Sequence, residues 1–201
     1  MSLSAVGLLS YSMPQGETRG FEVDLFDHSY DGRESQGYLS GGLGQLTDGS
    51  LGHSNFRMDL DGLGRKGYEW VGWKNDTVDR PPVQILFEFN GVKNFSSIRL
   101  HSNNMFSKEV RAFRRISLYF GTSAGSFEEW PVVHDTGLDT DNEEAHFVTV
   151  PIEYRIGRYV KAELYFAARW LMISEIQFQL SMYIIQLQST NQSIYYMFIH
   201  N

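Results

Sequence analysis

Between Gly41 and Gly52, five glycines in twelve residues leave only a few side chains that can act, among them the amide of Gln45 and the carboxylate of Asp48. Glycine frees the backbone for positive φ and tight turns. Such a stretch can fold back and aim an amide oxygen, a carboxylate and main-chain carbonyls at one point. Six to eight oxygens around a point is how a hard cation such as calcium is held. The same residues would also serve an ordinary turn-rich surface loop, and composition alone leaves both readings open.

Other chemistry is poorly supplied. The six histidines, His28, His53, His101, His134, His146 and His200, show no His-x-x-x-His or Glu-adjacent spacing of the zinc hydrolases. There is no Gly-x-Ser-x-Gly elbow, no P-loop and no dinucleotide fingerprint after a strand. Asp135, Asp139, Asp141, Glu143 and Glu144 cluster, but they read as a solvated acidic loop between strands. Cysteine is absent, which removes disulfides, thiolate metal sites and a thiol nucleophile. No enzyme is expected in these residues.

The elements that must position Gln45 and Asp48 read as strands. With 201 residues, 42% apolar and 20% charged, the chain has globular composition. Its formal charge of −7 carries no basic run, so neither nucleic acid nor an anionic membrane is an expected partner. Met1–Ser10 lacks the charged start and unbroken apolar core of a signal peptide, and no apolar run approaches the length of a membrane span. Phe26 to Gly67 is loop-rich, with turn signals at Asp31-Gly32, Asp48-Gly49, Asp61-Gly62 and Lys66-Gly67. Long irregular loops of this kind are usually functional or pinned by something. Val6 to Leu9 could form an edge strand. Strands are then expected at Glu69–Trp73, Val83–Phe89, Ser97–His101, Val110–Phe120, Ala145–Val150, Tyr159–Phe166 and Met172–Leu180, with Val83, Ile85, Phe87 and Phe89 sharing one face. Trp73 and Trp170 are expected in the core. No stretch keeps a helical period over three turns. About eight antiparallel strands without βα alternation predict an all-β jelly-roll sandwich over 1–182. Residues 183–201 are expected to form a divergent tail, weakly ordered from Ser189 on.

Several runs resemble a known family. His28-Ser29-Tyr30-Asp31-Gly32, Gly41 to Gly49, Gly67-Tyr68-Glu69-Trp70-Val71-Gly72-Trp73 and Phe87-Glu88-Phe89 are similar to the discoidin domain receptors, the collagen-activated receptor tyrosine kinases. So are His101 to Phe106, Phe147 to Pro151 and Trp170 to Ile176, in the same order over about residues 7–180. In that family these runs mark the second extracellular module, the discoidin-like domain. The resemblance implies a discoidin (factor 5/8 C-type) sandwich and a calcium ion held by residues that fall on Phe26, Gln45, Asp48, Ser50, Ser174 and Glu175. Gln45, Asp48 and Glu175 would act through side chains, Ser50 through its carbonyl, and Ser174 through carbonyl or hydroxyl. Vertebrate relatives have asparagine where this chain has Phe26, so only a carbonyl could serve there, with Asp27 as a neighbour.

Two carboxylates sharing one site would repel unless a cation lay between them; the simpler alternative pairs Glu175 with a base such as Arg169. The family's cysteines align with Ser102, Leu118 and Ala162, the last two standing where relatives have a bonded pair. Their loss therefore does not exclude an extracellular life. Sequons at Asn75 and Asn94 agree with that compartment, and a third falls at Asn191. The expected role is a non-catalytic, calcium-stabilised module on the extracellular side of the plasma membrane. It would pack against the collagen-binding discoidin domain of its parent receptor, meet collagen only indirectly, and dimerise only through that parent. The alternative is a free-standing carbohydrate- or matrix-binding lectin-like jelly roll.

Overall fold

The computed structural model describes residues 7–59, 62–76 and 81–181 with their side chains, and the backbone of 183–189 and 192–198. In chain order the strands are β1 (Leu8–Pro14), β2 (Thr18–Arg19), β3 (Val23–Asp24), β4 (Arg33–Ser35), β5 (Tyr38–Gly42) and β6 (Val71–Lys74). They continue with β7 (Val83–Ser102), β8 (Arg115–Gly121), β9 (Val132–Asp135), β10 (His146–Tyr165), β11 (Trp170–Leu180), β12 (Tyr183–Ser189) and β13 (Gln192–Phe198). Every ladder between these strands is antiparallel.

The order β4-β5-β1-β7-β10-β8-β9 runs through the molecule, with β11 pairing both β7 and β6. Strands β7 and β10, 20 residues each, make this a sandwich. The first half of β7 pairs with β1 and its second half with β11, so one strand serves both layers. Its register with β10 slips between Pro151 and Arg155 and again between Gly157 and Tyr159, near the point where the ribbon bends. Four separately expected strands thus merge into two. The strand expected from Val110 starts only at Arg115, after a 3₁₀ turn over Phe106–Lys108. The first strand is not an edge, because β1 lies between β5 and β7.

The alternation of β7 is realised as expected, with Val83, Ile85, Phe87 and Phe89 all buried. Phe178 of β11 meets Phe87 edge-on at 4.9 Å and Phe89 at 5.1 Å, and Phe95 packs 4.9 Å from Phe89. Burying each phenyl group stabilises the fold by about 2–3 kcal/mol. Trp70, Trp73 and Trp170 are buried as well, whereas Trp130 is exposed. Leu118 and Ala162 are direct cross-strand partners, both buried, so two apolar side chains fill the place the resemblance gives to a bonded pair. Strands β12 and β13 pair with each other as a separate hairpin. The expectations for the tail and for Asn191 fall on residues whose side chains lie outside the described set.

Candidate metal centre

Alternation along a strand sends neighbouring side chains to opposite faces. Ser174 and Glu175 nevertheless both reach one loop: the Gly52 N–H donates to Ser174 Oγ at 3.0 Å and the Gly49 N–H to Glu175 Oε2 at 3.0 Å. The cause is a bulge. Ile173 pairs with Ser102 and Glu175 with His101, so Ser174 has no partner in β7 and the strand turns both groups to the same side.

The facing loop is built to receive them. A 3₁₀ turn over Gln45–Thr47 buries Leu46 and Gln45 and ends at Asp48. Gly49 follows at φ 85°, a conformation that favours glycine. The Ser50 N–H then donates to Asp48 Oδ1 at 2.7 Å, closing an Asx turn. Gly52 lies flat against Trp70, where an added Cβ would come within 2.1 Å of the indole.

Gln45 is the hub on the other side. Its Oε1 accepts the His28 N–H at 2.6 Å, and its Nε2 donates to the Tyr68 carbonyl. Its own N–H donates at 3.0 Å to Asp27 Oδ1, while the Tyr11 hydroxyl donates to the other Asp27 oxygen. Phe26, half-buried, keeps its ring 6.1 Å from that of His28. Asp48, Ser50, Ser174 and Glu175 are therefore gathered at one seam, with Gln45 at its inner end and Phe26 two residues from the backbone that Gln45 holds. Asn75 and Asn94 lie apart from it. Both are half-buried; the Asn75 N–H donates to the Arg169 carbonyl, and the Asn94 carbonyl accepts the Ser181 N–H.

Glu175 decides the electrostatics. It is fully buried, and its hydrogen bonds are to the Gly49 N–H and the Gln177 amide. Arg169 pairs instead with Asp76 and Glu109, and no ion pair reaches Glu175 among the described residues. Burial pushes its carboxyl up to about 7, with the charge of Asp48 adding to the rise while Gly49 and Gln177 oppose it. Asp27 is also raised, by burial first, and again Asp48 contributes. Behind the seam, His101 Nδ1 meets Ser174 Oγ at 2.7 Å and stacks on Trp70 at 5.5 Å. Burial, helped by His146, lowers its pKa to about 4 and keeps the ring neutral near pH 7.

A buried carboxylate without a base, next to a second carboxylate, is a donor set that fits a divalent cation. Among the described residues no three acidic or histidine side chains converge as a side-chain cage requires. An ion here would therefore draw on amide and main-chain oxygens beside Asp48 and Glu175, which suits calcium better than zinc. The Ser174 hydroxyl is engaged by Gly52 and His101, which favours its carbonyl as the donor. Tyr11 and His101 escaped the sequence reading as members of this network, whereas Asp27 entered it as a neighbour of Phe26.

The Discoidin domain-containing receptor 1/2, DS-like domain family matches residues 7–180. Epithelial discoidin domain-containing receptor 1 of Mus musculus is 35% identical over 176 residues, 86% of this chain and 19% of the relative. Discoidin domain-containing receptor tyrosine kinase B of Caenorhabditis elegans is 30% identical over 175 residues, 86% of this chain and 21% of the relative. The chain thus spans about a fifth of the length of these relatives. Among solved structures, CpGH89CBM32-5 from Clostridium perfringens, in complex with GalNAc-β-1,3-galactose, aligns at 11% identity with a TM-score of 0.47, covering 85% of this chain and 98% of that one.

Proposed function

The chain belongs to the family of DS-like domains of discoidin domain-containing receptors 1/2, and from that premise we propose that it is a calcium-stabilised structural module of a longer collagen receptor. A discoidin-like module of a receptor's extracellular part, it is non-catalytic and is not the kinase. Among the described residues no helix is long and apolar enough to cross a membrane.

The observation that carries the calcium reading is Glu175, a fully buried carboxylate whose neighbouring charge is the like charge of Asp48. Asp48 and Glu175 would hold the ion through their carboxylates, Gln45 through the remaining lone pair of Oε1, and Phe26, Ser50 and Ser174 through carbonyls. Bound calcium supplies positive charge that offsets the two carboxylates and ties the 45–52 loop to β11. What the chain's own residues do is orient: Gly49 and Gly52 fix the loop on Glu175 and Ser174, and His101 holds Ser174 from behind.

In the parent receptor the module, residues 1–182, would pack against a collagen-binding discoidin domain and hold it at a set orientation on the extracellular side of the plasma membrane. Collagen would be met through that neighbour, dimerisation would occur through the parent, and Asn75 and Asn94 would carry glycans. The experiment is calorimetric titration of the whole chain with calcium, together with thermal melts in calcium and in EDTA. We expect heat of binding and a higher midpoint in calcium, worth about 2.7 kcal/mol at a hundredfold excess over Kd. No heat together with no shift overturns the reading.

A further inference from the structure

The two sequon asparagines stand in opposite surroundings. Asn75 follows β6 among charges: Lys74 pairs with Asp76, and Arg169, whose carbonyl accepts the Asn75 N–H, pairs with Asp76 at 3.2 Å and with Glu109 at 3.4 Å. Asn94 lies in β7 beside the bend, directly across from Ile156 of β10. Cross-strand partners of an antiparallel pair share a face, and alternation along β7 puts Val92 on that face too. Val92 is 55% exposed and Ile156 48%, so the half-buried Asn94 has aliphatic side chains left in water along its strand and across from it.

The backbone next to them is irregular. Glu153 and Tyr154, at φ 54° and 65°, are consecutive non-glycine residues in the left-handed region, and the Tyr154 ring, two residues before Ile156, is 69% exposed. Such conformations persist only where the surroundings hold them. On the inner side the neighbouring Phe95 is buried against Phe89 and Phe178. On the outer side Val92, Tyr154 and Ile156 remain in water.

Size and position narrow what could cover them. Three side chains are far too few for a stable protein interface, which buries about 1,200 Å² or more. They match the span of one or two sugar rings, whose C–H faces can take apolar surface out of water. A sugar on Asn94 is already tethered to this face, so packing there costs it little freedom, whereas a ligand from solution would lose far more. We propose that a glycan on Asn94 is a structural cover, its first N-acetylglucosamine lying over Val92 and Ile156 with Tyr154 at the rim. The proposal rests on the reading above that Asn94 carries a glycan. That bond forms when the Asn94 amide nitrogen displaces a lipid diphosphate from C1 of an activated oligosaccharide and gives up one proton, on the emerging chain before β7 pairs with β10. Asn75, set among ion pairs, offers its own glycan no such surface.

The test compares the whole chain secreted behind a cleavable leader from a mammalian host making high-mannose glycans with the same chain from bacteria, which add none. The chain has no cysteine, so disulfides do not confuse the comparison. Peptide mass mapping reads occupancy at Asn94. Endoglycosidase H then trims each glycan to one N-acetylglucosamine, and melts are run in EDTA so that the cation site plays no part. The trimmed chain should melt about 2–4 °C above the bacterial one. Asn94→Gln should abolish this gain and Asn75→Gln should keep it, while Asn94→Gln in the bacterial chain should shift the midpoint by less than about 1 °C. Ile156→Ser should halve the gain or more, because the sugar then has less to cover. An unoccupied Asn94 overturns the glycan reading and the cover together. With Asn94 occupied, the cover alone is overturned by no gain, by a gain lost equally in Asn75→Gln, by a gain undiminished in Ile156→Ser, or by a bacterial Asn94→Gln that falls as far as the secreted one.

Discussion

At Ile176 and Phe178 strand β11 buries hydrocarbon, and at Ser174 and Glu175 the same strand buries a hydroxyl and a carboxylate just as deeply. The two regions differ in what burial does. Around Phe178 every ring removed from water stabilises the fold. Around Glu175 removal from water works against it, because a buried carboxylate without a base favours its protonated form and two hydrogen bonds offset only part of the cost. One strand thus carries both strongly stabilising and condition-dependent burial within five residues of chain.

The largest expected effect lies in the apolar region. Phe178→Ala opens a cavity among Phe87, Phe89 and Phe95 and should cost about 3–5 kcal/mol in urea unfolding. The loss should be the same in calcium and in EDTA. A cost that changed with the cation would show that the two regions are coupled.

The next effect separates the regions by pH. The Glu175 carboxyl titrates at about 7 in the folded chain against 4.5 when free, so the unfolded chain gives up this proton first. Its favourable contribution is complete below about pH 4.5 and is lost as pH rises through 7. In EDTA, stability should fall by about 2 kcal/mol across that window, after allowance for solvent screening. Glu175→Gln should remove most of the slope, with the remainder belonging to Asp27, which is raised for the same reason. Urea midpoints from pH 4.5 to 8 would measure both, and a wild-type slope that survives intact in the variant would refute the assignment to Glu175.

How far the sequence carried differs between the regions for the same reason. Period-two patterning exposed the buried face of Val83–Phe89, because hydrocarbon burial leaves a mark at every second residue. It could not show that β7 and β10 each pass through a bend and serve two layers, since a turn-like stretch such as Asn90-Gly91 reads the same whether the chain reverses or merely bends. Of the candidate site, Gln45 and Asp48 announced themselves through their glycines. Ser174 and Glu175 entered only through the family resemblance, because the bulge that turns both to one loop is a matter of register with β7. His101 and Tyr11 left no trace, as a satisfied buried polar group looks like any other polar residue until its partners are known.

A smaller effect tests the bulge itself. Ser174→Ala leaves the Gly52 N–H and the His101 ring without their shared partner, at a cost of about 1–3 kcal/mol. Hydrogen exchange at the Gly52 amide should accelerate in this variant more than exchange in the Phe87–Phe178 region. Equal acceleration at both places would mean that the seam and the aromatic core open together.

The smallest effect on the free protein falls at Asp48, and it isolates the cation most cleanly. Asp48 is exposed, and its local work is to accept the Ser50 N–H through Oδ1, which an asparagine oxygen does equally well. Asp48→Asn should therefore change stability in EDTA by less than about 0.5 kcal/mol, and by a gain rather than a loss, since one like charge near Glu175 and Asp27 disappears. In calcium the sign reverses, because a carboxylate is replaced by a neutral amide in a site whose affinity depends on ligand charge. A melt series in EDTA and in calcium reads the two signs from one variant. If Asp48→Asn behaved alike in both, the seam would be a buried polar network that needs no ion, and the contrast with the aromatic half of β11 would rest on protonation alone.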